Sequence, residues 1–61
     1  MANMLTTKEA TVISDLLQYE ECACKKARLY SRTLTDFKLA EEFSKLADRH
    51  ERRFNALFDL L

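Results

Sequence analysis

Three side chains in this chain are equipped for chemistry beyond packing: Glu20, His50 and Arg53, with the thiols of Cys22 and Cys24 beside the first. His50, the only histidine, stands in "KLADRHERRFNALF", where Leu46, Ala47, Phe54, Leu57 and Phe58 recur at helical spacing and another apolar residue is due. Glu20 interrupts an earlier series in the same way: Ile13, Leu16, Glu20, Ala23, Ala27 and Tyr30 follow alternating steps of three and four. An imidazole and a carboxylate in two apolar seams suit a buried hydrogen-bonded pair, or a share in a metal site. Burying Glu20 alone costs on the order of several kcal/mol, so a partner is required, and His50, Arg53, Lys25 or a symmetry mate qualifies. A metal needs about three or four converging donors. Arg53 stays protonated and offers no lone pair. His50 is therefore most simply a satisfied core histidine.

The remaining candidates have simpler uses. Cys22 and Cys24 lie two apart, about 200° around a helix, and are expected to be reduced, small packing residues. Tyr19 and Tyr30 are expected to be half-buried in the seam. Residues 25–38 hold Lys25, Lys26, Arg28, Arg32 and Lys38 against only Asp36, a solvated basic turn or a surface for an acidic protein. No Gly-rich phosphate loop is present, and no serine is placed with the histidine. No catalysis is expected, and any enzyme would have to form at a layer shared by two chains.

Helices must position these residues. The 61 residues contain no Gly, Pro or Trp, so an all-α fold is expected. Thr6 and Glu9 make a T-x-x-E capping box at the start of the first helix. Around "YSRTLTDF", Ser31, Thr33, Thr35 and Asp36 compete for backbone hydrogen bonds and mark a turn. The expected architecture is one helical-hairpin domain over 1–61, with helices over about 7–31 and 35–61 and a turn over about 32–35. An unbroken helix through 31–36 is the alternative. In the hairpin, Glu20 and His50 lie about one turn apart in level. Their Cα–Cβ bonds lean toward each other and close the gap.

A chain this short buries only about 60% of the surface its unfolded form exposes. Two hairpins stacked face to face would close the seams in a four-helix bundle, so a homodimer is expected. Antiparallel stacking would separate the basic turns and bring both Glu20 and both His50 toward one central layer. Ten basic and ten acidic residues cancel, which argues against nucleic acid or membrane as partners. "MANMLTTKEA" lacks the features of a signal peptide, and the chain is expected to be soluble and not exported.

The segments "LLQYEECACKKARLYSRTLTD" and "KLADRHERRFNALFDLL" resemble the helical hairpin of the ferritin-like superfamily, most closely its spore coat protein F-like branch. The resemblance implies a half-ferritin hairpin, other coat proteins as partners, and a cytoplasmic or spore-associated location. In metal-binding members, each hairpin supplies a glutamate from its first helix and a Glu-x-x-His pair from its second. Glu20 matches the first, whereas the pair falls on His50 and Arg53. The resemblance thus implies a degenerate site and a non-catalytic structural or assembly protein, with no cofactor. An iron, manganese or zinc dimer liganded by Glu20 and His50 is the alternative. Should Arg53 reach inward, a bidentate pair with Glu20 would replace the metal.

Overall fold

Thr6 begins the first helix by the reciprocal bonds that its spacing to Glu9 predicts. In the computed structural model, which describes residues 4–61, Thr6 Oγ1 accepts from the Glu9 amide at 3.1 Å and Glu9 Oε1 accepts from the Thr6 amide at 2.9 Å. Helix α1 then runs over Thr7–Thr33 and α2 over Phe37–Phe58, packed on each other as a hairpin. There is no strand among the described residues, and no described helix is long and apolar enough to cross a membrane.

The bond from the Thr6 backbone favours the Glu9 carboxylate and, with the bond from the Thr6 side chain, lowers its pKa from 4.5. A depressed folded pKa makes this contribution present above 4.5 and progressively lost as the pH falls below it. Thr6→Ala should cost about 1 kcal/mol in thermal unfolding at neutral pH, and the deficit should narrow in acid.

The turn lies later than the spacing of hydroxyl residues predicts. Ser31 and Thr33 do not end α1, because their hydroxyls donate to the carbonyls of Arg28 at 2.7 Å and Leu29 at 3.0 Å within the helix. Leu34 leaves the helix in an extended conformation, its amide donating to the Tyr30 carbonyl at 3.1 Å. Asp36 then caps α2, accepting from the Leu39 amide at 2.8 Å. The connection is thus 34–36. At the far end α2 stops at Phe58, three residues short of the expected end.

The seam is thin because it is built on small side chains. Among the described residues, Ile13, Ala27 and Ala47 are its buried apolar residues and no large side chain is fully buried. Alanines at facing positions let the backbones approach closely enough for Cys24 Sγ to donate to the Ala47 carbonyl at 3.5 Å. Two flanks result. One is polar: Arg28 reaches across the helices to Asp48 and Glu51, each at 3.2 Å, and Lys25 meets Glu21 at 3.5 Å. The hydrogen bond to Asp48 raises the Arg28 pKa further above its already high value. The other flank is apolar and open, carrying Val12, Leu16, Tyr19 and Tyr30 from α1 and Leu39 from α2. Tyr19, expected to be half-buried, is 60% exposed on this flank.

Such a slab, 46 × 15 × 10 Å, is open for its mass. Its accessible surface is 4866 Å². A compact monomer of 7.2 kDa exposes about 4,100 Å², so the excess is roughly 700 Å².

Candidate functional site: a central polar layer

Glu20 and His50 meet between the helices near the middle of the hairpin. Glu20 is 6% exposed and His50 8%, and Glu20 Oε1 lies 2.5 Å from His50 Nδ1. The packing of α1 on α2 brings the two side chains together across the offset in level between their backbones. The contact engages Nδ1 and fixes the orientation of the ring. The second ring nitrogen, Nε2, has no hydrogen bond among the described residues. Tyr19 closes the apolar side of the layer, its ring standing edge-on to the imidazole at 80° with centroids 6.4 Å apart.

Arg53 follows His50 by one helical turn and reaches the same carboxylate from outside. Its Nη1 lies 3.8 Å from Glu20 Oε2, and its side chain is 53% exposed. The contact is single and long, not the bidentate pair expected of an inward arginine. The reason is competition. Glu20 Oε1 is occupied by His50 from the inner side of α2, while the next turn leaves the guanidinium at the solvent edge, where only Oε2 is within reach.

The donor set of one chain is insufficient for a metal. Glu20 and His50 supply lone pairs, Arg53 places a fixed positive charge beside one of the two carboxylate oxygens, and no group of three or more His, Cys, Asp or Glu is assembled among the described residues. Cys24 belongs to neither arrangement, being directed at the Ala47 carbonyl on the polar flank, and Cys22 is exposed. A shallow groove beside Cys24, lined by Glu21, Lys25, Glu51 and Phe54, measures about 210 Å³. Ligand pockets generally begin near about 300 Å³.

The chain matches no family model, no curated protein and no solved structure.

One element of the central region is not apparent from the apolar pattern. Arg28 reaches Asp48 and Glu51 and ties the helices together on the polar flank. Its signal in the sequence is weak: acidic residues three apart on one helix, with a long basic side chain on the other.

Proposed function

We propose that this protein is a non-catalytic structural and assembly protein of the ferritin-like type. It would pair as a homodimer into a four-helix bundle and serve, as spore coat components do, through association with other coat proteins in the spore or the cytoplasm. The observation that carries this reading is Arg53 beside Glu20, a permanent cation at 3.8 Å from the carboxylate where the ferritin-like pattern would have a further ligand. The open apolar flank supports the assembly role. An excess of roughly 700 Å² is close to the ~800 Å² that each partner contributes to a standard interface.

A metal-binding or redox dimer is the second reading. It is favoured by the Glu20–His50 contact, because a carboxylate on Nδ1 is also how metal-ligating imidazoles are oriented, with Nε2 turned to the metal. Two copies would then have to pool their ligands around iron, manganese or zinc.

Metal analysis of the purified protein, with thermal unfolding in chelator and in each divalent metal, separates the two. The structural reading expects less than stoichiometric metal and a melting temperature unchanged by chelator. A metal-dependent rise in wild type that disappears in Glu20→Ala would overturn it.

A further inference from the structure

We propose that the polar flank carries a second self-association surface, on the side away from the open apolar flank, where the exposed rings of Phe37 and Phe58 at the two ends of α2 dock onto those of another copy. This deepens the assembly reading: it rests on the homodimer only in that the apolar flank is already closed, and it extends that dimer into an open row.

Phe37, Ser44, Glu51 and Phe58 stand seven residues apart, close to two whole turns, so they form one line along α2. Glu51 bonds Arg28, and the line therefore runs on the polar flank. Its ends are apolar and its middle is polar. Phe37 is 82% exposed and Phe58 58%, although Phe58 stacks on Phe54 with centroids 6.2 Å apart. Beside Phe37 lies a shallow groove of about 470 Å³ whose lining includes Leu34, Ala40 and Ser44. The apolar flank, once closed, covers neither ring.

The order of the line and the charges beside it identify the occupant as a second copy. A two-fold axis perpendicular to α2 at the middle of the line sets Phe37 against Phe58 and Ser44 against Glu51, each twice, since both pairs are centred between residues 47 and 48. The same axis suits α1. The Cys24 thiol meets the Ala47 carbonyl, which puts this part of α1 level with that midpoint, and Glu21 and Lys25 lie at equal distances to either side of residue 23. Glu21 of each copy then faces Lys25 of the other. Side chains tilt toward their own N-terminus, which carries Phe58 of one copy over the small Ala40 of the other and into the groove beside Phe37. With the turns together, α1 would instead lie over α2 of the second copy and set Glu21 near Glu51, acid against acid. Two ring pairs and two exposed ion pairs make a weaker contact than the apolar flank, so it forms at higher concentration. Because the two contacts use opposite flanks, each hairpin holds two others and the row does not close.

Sedimentation of the full chain over a range of concentrations tests the surface. Wild type should show twice the chain mass in the micromolar range and grow beyond it toward about 1 mM. Phe37→Ser with Phe58→Ser should keep the doubled mass and raise the concentration needed for further growth at least about tenfold. Leu16→Glu, which spoils the apolar flank, should be single at micromolar concentration and reach twice the chain mass near about 1 mM, and no more. Glu21→Lys should weaken the growth of wild type, and Lys25→Glu added to it should restore that growth. Both residues are exposed, so this charge exchange reads the contact even where a phenylalanine variant fails to fold. A wild type that stops at the doubled mass reached at micromolar concentration, growth undiminished in the phenylalanine variant, or a charge exchange that restores nothing would overturn the proposal. A wild type that is single at micromolar concentration and doubles near about 1 mM only with Phe37 and Phe58 intact would overturn the homodimer through the apolar flank and leave this surface standing.

Discussion

Replacing Glu20 with Ala is expected to destabilise the protein by about 2–4 kcal/mol, from a buried hydrogen-bonding group left without its partner together with the cavity left by the side chain. Glu20 holds Nδ1 of a histidine that is itself 8% exposed, so the deletion leaves a buried ring nitrogen without its partner and opens a cavity between α1 and α2. His50→Ala should approach the same cost from the other side. The double replacement Glu20→Leu with His50→Leu should lose much less than the two single alanine changes added, because two apolar groups need no partner. Arg53→Ala, by contrast, should change stability by about 1 kcal/mol or less, since its 3.8 Å contact is made by a half-exposed side chain. Urea unfolding of the four variants at one protein concentration measures the cycle. Additive Glu20 and His50 losses, or a larger loss for Arg53→Ala than for His50→Ala, would mean that Arg53 and not His50 holds the layer together.

Leu16→Glu should have the next largest effect, and it should act between copies and not within one. Leu16 is 42% exposed on the open flank, where substitution in an isolated hairpin is expected to cost about 0.5 kcal/mol or less. In a face-to-face dimer the same change buries two carboxylates in an apolar interface, at several kcal/mol each by order of magnitude. The mass in sedimentation equilibrium should fall from twice the chain mass to once, and the melting temperature should lose its dependence on protein concentration. As a control, the polar flank offers Arg28→Ala, which removes two exposed ion pairs and should leave the dimer intact. A Leu16→Glu protein that keeps both its mass and its stability would exclude this flank as the interface.

The sequence by itself determined the elements whose causes are local. The capping box of Thr6 and Glu9 depends on residues three apart, and the absence of Gly and Pro leaves helix as the low-energy state of both halves. It also placed Glu20 and His50 together. Each interrupts an apolar stripe once, and in an antiparallel pair the tilt of side chains toward their own N-termini brings those two levels into contact.

Only the tertiary structure decided the rest, because it depends on rotation of one helix against the other. Helical periodicity marks a stripe, but a stripe wider than one seam leaves open which edge is buried. The close approach at Ala27 and Ala47 turned Ile13 inward and left Val12, Leu16 and Tyr19 on the open flank. The same rotation put His50 inside and Arg53 at the solvent edge, so imidazole and not guanidinium is the direct partner of Glu20. It also carried Arg28 to Asp48 and Glu51, which removed part of the positive charge that the turn region shows in the sequence. The end of α1 was decided by hydroxyl rotamers: Ser31 and Thr33 can cap a helix or bond back into one, and only their bonds to the Arg28 and Leu29 carbonyls settle which.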